Sequence, residues 1–316
     1  MNARTRFLGY SACALAGTLW GTGFYFGRLA LNEMSVEYMV LYRFAFACLV
    51  MLPVALINLR RVRLTPGELK ILLLSAFFGI PVQFLIQFHG LAHTTVSHAS
   101  LMVGSMPVLL GVAAALFAGE RLDKIGWFAL IGSTVGVVLI VSGNQHGRSG
   151  PEHPTLLGDL LVVLSLITAL AWVLLSKKLM ETHSPLVVTA YTILTGSLML
   201  AAWVLGAWLL SPLLHNHGTP PPFAHISITA WSALAAGGLA CTATTTLLWN
   251  WGIHHVPASR AGVFLNIEPA LGSILGVKLL GEHLGPFAWL GGALILTAAI
   301  ILTTQGHELQ PEIILE

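Results

Sequence analysis

Residues 90–122 read GLAHTTVSHASLMVGSMPVLLGVAAALFAGERL, and residues 252–284 read GIHHVPASRAGVFLNIEPALGSILGVKLLGEHL. Laid over one another without a gap, at a shift of 162, they match at many positions. Gly90, His93, Ser97, Ala99, Pro107, Leu109, Gly119, Glu120 and Leu122 recur as Gly252, His255, Ser259, Ala261, Pro269, Leu271, Gly281, Glu282 and Leu284. Trp127 and Trp289 continue the register. Toward the front of each half the signal weakens: Trp20 matches Trp172 at a shift of 152, and Ser35 and Tyr42 match Ser184 and Tyr191 at 149. Internal repeats of this kind decide architecture before any local propensity does.

The unit being repeated is a set of membrane helices. The chain of 316 residues is 56% hydrophobic and 9% charged, with a mean hydropathy of +0.82, against about a quarter charged in a soluble domain. Crossing the hydrocarbon takes about 20 apolar residues as a helix. Such runs recur at 8–27, 36–58, 70–91, 95–118, 123–142, 156–177, 184–209, 227–252, 257–280 and 284–303. The expected fold is therefore an all-α integral membrane protein of ten transmembrane helices, five per repeat. The first repeat occupies 1–143 and the second 156–303, joined by an external linker at 144–155 that contains NQHGRSGPEHP and followed by a short tail at 304–316. The first apolar run follows Arg4 and Arg6 as in a signal peptide, but lacks an A-x-A site before its polar flank, so it reads as a retained helix.

An odd number of crossings per copy turns the second copy over. Inverted repeats are a hallmark of secondary transporters, with the substrate site near the midplane where the repeats meet. Lys and Arg set the orientation. With the N-terminus cytoplasmic, the inside collects Arg4, Arg6, Arg60, Arg61, Arg63, Lys70, Arg121, Lys124, Lys177, Lys178 and Arg260, and the outside holds Arg28, Arg148 and Lys278. Both termini are thus expected in the cytoplasm. The cluster RRVR at 60–63 lies in a loop beside a helix end, an orientation signal rather than a nucleic-acid surface. Cys13, Cys48 and Cys241 are odd in number and all lie in apolar runs, so no disulfide framework is implied.

Trp20-Gly21 in the first helix, Arg43-Phe44 in the second, Pro107 and Pro269 within the fourth and ninth, and Gly-Glu closing both resemble the EamA-type branch of the drug/metabolite transporter superfamily. The resemblance covers essentially the whole chain. It implies a multi-pass permease of the bacterial inner membrane, commonly an exporter of amino acids, related metabolites or toxic compounds. Arg28 departs from the pattern, since the family more often has lysine near the outer end of the first helix.

Glu268 is the residue least at home in its surroundings. Counted from Pro257 it lies about 16 Å along the ninth helix at 1.5 Å per residue, near the midplane. An acid there costs about 2.5–3.5 kcal/mol on insertion scales and almost always faces a cavity or a partner. Pro269 donates no hydrogen bond and frees a carbonyl near residue 265, so a kink is expected at Pro269, and at Pro107 in the earlier copy. Met106 stands where the later copy has Glu268. With Asn266 nearby, Glu268 reads either as a site for a cationic group or a proton, or as a protonated structural acid. Arg43, about 10 Å from the outer end of the second helix, either snorkels to the interface or holds a carboxylate, of the substrate or of Glu268. If both line one cavity, a zwitterion such as an amino acid matches them.

Other candidates for the pathway are Trp20, Tyr42, Tyr191 and Trp249 as stacking groups, with Gln83 and Gln87 on one face of the third helix. Thr242, Thr245, Thr246, Trp249 and Asn250 form a polar stripe in the eighth. Glu120 and Glu282 read as helix-end anchors or gate contacts. His93, His98, His254 and His255 sit in loops on opposite membrane faces under the inverted reading, so no metal site is expected. No nucleotide-binding, hydrolase or zinc-protease motif appears, and no cofactor is expected. The partners expected are a small-molecule substrate, the lipid bilayer and, for coupling, protons; monomer and homodimer both stay open. The competing class is an intramembrane enzyme in which Glu268, His89 and Ser105 act on a lipid. A sensor would need an appended signalling domain, which the tail at 304–316 does not supply.

Overall fold

The computed structural model describes residues 3–58, 62–106, 108–109, 124–142, 154–210, 226–255 and 262–305. It is all helical, with no strand among these residues. Helices α1 (Ala3–Leu31) and α2 (Val36–Asn58) are followed by α3 (Pro66–Phe77), which passes through a π-helical turn at Phe78–Val82 into α4 (Gln83–Ala92). Next come α5 (Val96–Val103), α6 (Lys124–Ser142), α7 (Leu156–Met180) and α8 (Pro185–Leu210). Helix α9 (Ile228–Ala235) runs through a π-helical stretch, Ala236–Thr244, into α10 (Thr245–His255). A 3-10 segment, Gly262–Asn266, leads into α11 (Ile267–Leu279), and α12 (Pro286–Gln305) closes the chain. Counting the interrupted rods once gives ten helices. Four, at Val36–Asn58, Pro66–Ala92, Leu156–Met180 and Pro185–Leu210, are long and apolar enough to cross a membrane by length and composition.

The third rod starts four residues before the apolar run because of its cap. Thr65 accepts the Glu68 backbone N–H, and Glu68 accepts the Thr65 backbone N–H at 2.8 Å, with Pro66 in the first turn. This reciprocal box satisfies two otherwise orphaned donors. The other Glu68 oxygen takes the Thr182 hydroxyl at 2.8 Å and His183 at 3.1 Å, tying α3 to the end of α7.

Pairs of helices pack along their length: α1 on α10 and α11, α2 on α8 and on the π stretch before α10, α4 on α7, α5 on α11, and α6 on α12. Close approach needs glycine where backbones meet. A Cβ on Gly136 would sit 2.6 Å from the Gly291 carbonyl oxygen, locking α6 to α12. Trp127 and Trp289, near the starts of those helices, are exposed, as expected of interface anchors.

Pro269 corrects an expectation. It falls in the first turn of α11, just after the switch from 3-10 to α geometry, where its missing N–H costs no intrahelical bond. The interruption is a change of helix type at Asn266–Ile267, not a bend inside a continuous α-helix. Pro107 and Glu120 lie outside the described residues.

Candidate functional site

Arg43 is the centre of the best-built polar cluster. It is 5% exposed in the middle of the bundle, so it does not snorkel. Its Nε donates to Thr242 Oγ1 at 3.0 Å and its Nη1 to the Gly23 carbonyl at 3.4 Å. Phe84 and Phe88 of α4 present their rings to the guanidinium carbon, with centroids at 5.5 and 5.3 Å, within cation–π range.

The π-helical stretch before α10 makes this cradle. Thr242 donates its hydroxyl proton to the Gly237 carbonyl, five residues back, at 2.8 Å, leaving its oxygen free to accept from Arg43. Gly237 lies against the Arg43 stem, and Gly238 abuts the Arg43 carbonyl. One residue before Thr242, Cys241 Sγ is 3.1 Å from Thr22 Oγ1 of α1. Interruptions of this kind recur at functional sites.

Glu268 lies in the first turn of α11, where the helix dipole favours a negative charge. Gly21 lets α1 reach its backbone: a Cβ there would lie 3.0 Å from the Glu268 carbonyl oxygen. Glu268 and Arg43 are close enough for their charges to act on one another. No carboxylate lies within 4.0 Å of Arg43 among the described residues. Glu268 therefore acts on Arg43 through its charge and not as a direct ion-pair partner.

Trp20 pairs with Trp249 at 5.6 Å between centroids, adjacent to Gly21. Tyr42, next to Arg43 in the chain, stacks on Tyr38 and meets Trp231 at a tilt. Gln83 and Gln87 are buried on α4, and Gln83 Oε1 has no hydrogen-bond partner among the described residues. Asn250 donates to Thr189 Oγ1, joining α10 to α8, and Asn266 is buried at the start of α11. Tyr191 does not join the group. It lies at the Glu68 end, beside Leu64, Leu72, Leu179, His183 and Val188 around a small apolar cavity.

At the other end of the bundle, polar groups tie helix termini together. Gly281 adopts φ +67°, which only glycine takes cheaply, and ends α11 by returning the Glu282 N–H to the Gly276 carbonyl at 3.1 Å. The turn throws the Glu282 carboxylate onto the start of α5. There it accepts the N–H groups of Val96 and Ser97 at 2.7 Å each and the Ser97 hydroxyl at 2.6 Å. Arg28 Nη2 donates to the carbonyls of Leu91 and Thr94 at the end of α4. Asp159 of α7 accepts the Thr94 hydroxyl at 2.5 Å, and Glu37 meets His89 at 3.1 Å. Glu33 accepts the N–H and hydroxyl of Ser227, which hold its carboxyl below the ordinary value.

Of the trio proposed for lipid chemistry, His89 is held on Glu37, and Ser105, in the turn after α5, donates to the Met102 carbonyl. The histidine placement also needs correction, since His98 is buried within α5 and His255 belongs to α10. Among the described residues no three His, Cys, Asp or Glu side chains converge as a metal site. Sequence reading missed Phe84, Phe88 and Asp159 altogether; the only available signal was an acid three residues into an apolar helix.

A buried cation held against an interrupted helix, with an acid at the start of another, is what membrane transport proteins use at their sites. The family comparison agrees. The model of the EamA-like transporter family matches residues 7–142 and 156–304, and the chain belongs to that family. An "Uncharacterized transporter" of Archaeoglobus fulgidus is 23% identical over 98% of this chain and 100% of its own length. "Inner membrane protein YtfF" of Escherichia coli is 22% identical, covering 94% of this chain and 95% of the relative. A "Probable terminal-alkyne amino-acid exporter" of Streptantibioticus cattleyicolor is 22% identical over 92% of each chain. One crystal structure superposes with a TM-score of 0.60 at 17% identity, over 98% of this chain and 100% of that one, a likeness of fold.

Proposed function

We propose that this transporter is a ten-helix permease built of two inverted five-helix repeats, working by alternating access on an amino acid or a similarly zwitterionic metabolite, in the export direction. The observation that carries the substrate class is the buried guanidinium of Arg43, with no carboxylate within 4.0 Å among the described residues and with Glu268 near enough to act on its charge. An uncompensated buried charge costs several kcal/mol. A substrate carboxylate on Arg43 and its amino group toward Glu268 supply the missing partners. The relative named as an amino-acid exporter fits this reading.

Several features support inverted repeats. Exchanging the halves turns the α1–α10 contact into the α7–α4 contact, and leaves α2–α8, α5–α11 and α6–α12 as they are. The shift of 162 carries the π turn Phe78–Val82 onto positions 240–244, inside the second π stretch. Lysine and arginine placement puts the Arg28 end outside, the Glu68 end and both termini inside, in a bacterial inner membrane. Under this reading Glu282 is the outer gate and Trp20, Tyr42, Gln83, Gln87, Trp249, Asn250 and Asn266 flank the path.

Two outcomes test it. In liposomes carrying a metabolite panel, Glu268→Gln is expected to lower counterflow of the transported amino acid about tenfold and to remove its response to a pH gradient. Unchanged transport with unchanged pH response refutes the role of Glu268. Glu282→Ala, which strips three donors at the start of α5 of their acceptor, is expected to favour the outward-open form. Spin labels at Leu157 and His283 report it as a longer distance; an unaltered distribution removes Glu282 from the gate.

A further inference from the structure

We infer that His98 and Asp159 form a proton-binding site, separate from Glu268, whose protonation holds the Arg28 end of the bundle closed. The inference rests on the alternating-access reading. His98, in the first turn of α5, is 3% exposed, and its Nδ1 has no hydrogen-bond partner among the described residues. That nitrogen points at Asp159 of α7, with Nδ1 and Oδ2 3.8 Å apart, too far for a hydrogen bond. Asp159 is fully buried. The pair bridges one helix of each half of the chain.

A proton taken from water onto the imidazole turns this near miss into a charge-assisted hydrogen bond across the closed interface. The surroundings weigh on both sides. A cation in the first turn of α5 opposes the helix dipole. Arg28 of α1 is also nearby, but its Nη2 is engaged by the carbonyls of Leu91 and Thr94. Against these stand Asp159 itself and the Glu282 carboxylate, which rests on the N–H groups of Val96 and Ser97 just before His98. His89 and His93 of the α4 end, Lys278 of α11 and His283 after it are the other titratable groups at this end of the adjoining elements, whereas Glu268 of α11, Tyr10 and Tyr25 of α1, and Lys177 and Lys178 of α7 lie further along theirs. The repeat adds an independent pointer: the ungapped alignment puts Arg260, a permanent cation, where His98 stands in the first copy. The outer copy carries the side chain that changes charge between about pH 5 and 8.

The test uses the full chain in lipid nanodiscs, spin-labelled at Leu157→Cys and His283→Cys after its native cysteines are replaced. In otherwise unaltered protein the ratio of short to long distances is expected to rise about tenfold from about pH 8 to about pH 5.5, a usual size for coupling between a ligand and a conformational equilibrium. His98→Gln and Asp159→Asn are each expected to reduce that response below about twofold. Thr94→Val leaves the pair in place but removes the hydroxyl from Asp159, so the pH midpoint moves upward; it carries the test where either of the others fails to fold. Two distance populations with the same pH response in His98→Gln, or an unmoved midpoint in Thr94→Val, overturn the proton site alone. A single population at every pH, with or without substrate, overturns the alternating-access reading as well.

Discussion

Arg43→Met is expected to abolish transport, by about 100-fold or more, while leaving the melting temperature unchanged or raised. The two effects separate because the guanidinium contributes to the site and costs the fold. Truncating one member of a buried charge pair loses about 2–5 kcal/mol of binding, and about 2.7 kcal/mol is already a hundredfold. In the empty protein, by contrast, no described carboxylate within 4.0 Å compensates Arg43, and apolar replacement of such buried charges is often neutral or stabilising. Methionine fills the channel between Gly237, Phe84 and Phe88 with an unbranched, adaptable chain. Thr242 keeps its donor role toward Gly237, so little is orphaned. Counterflow and thermal denaturation on one preparation check both halves. Transport within about threefold of the parent eliminates Arg43 from substrate binding. A steep fall in stability instead makes it a structural post. Arg43→Lys discriminates further, because a lysine carries the charge without the planar fork that reaches Thr242 and Gly23 together.

Much of the fold was legible because hydrophobic length is a coarse, one-dimensional signal. The run at 36–58 coincides with α2, 123–142 differs from α6 by one residue at its start, and 184–209 differs from α8 by one residue at each end. The third rod was misplaced at its start for a local reason: Thr65, Pro66, Gly67 and Glu68 look like loop chemistry, yet they make a capping box. The Gly-Glu motif was visible, but its meaning required the turn at Gly281 that aims Glu282 at another helix. Arg43 and Glu268 stood out as charges in apolar runs. Their partners did not, because threonine, glycine and phenylalanine are ordinary in membrane helices and the π stretches shift every side chain after them by one position. Tyr191 shows the limit of repeat matching: it mates with Tyr42 in sequence, yet Tyr42 lies next to Arg43 and Tyr191 lies at the Glu68 end. Asp159 passed unnoticed because nearness to a loop reads as exposure, whereas it is the most buried acid described.

Gly238→Ala is expected to destabilise the protein by about 1–3 kcal/mol, the usual cost of overpacking a close contact, and to lower transport with it. The methyl group would press on the Arg43 carbonyl oxygen, 2.6 Å from Phe46 Cβ and 3.1 Å from the Ala47 nitrogen. Two of these three atoms are backbone, so no rotamer change relieves the clash. The π stretch and α2 must move apart, and the 3.0 Å bond from Arg43 Nε to Thr242 lengthens with them. Gly206→Ala supplies the opposite sign. Gly206 sits within α8 with nothing in reach of an added Cβ, so alanine there stabilises by about 0.5–1 kcal/mol through helix propensity alone. Denaturation midpoints of the two variants in the same detergent are therefore expected to move in opposite directions from the parent. Movement in the same direction means that α2 does not lie against Gly238 as closely as described, and the Thr242 cradle for Arg43 fails with it. Opposite movement accompanied by a weaker substrate affinity in Gly238→Ala alone ties the helix crossing to the site it positions.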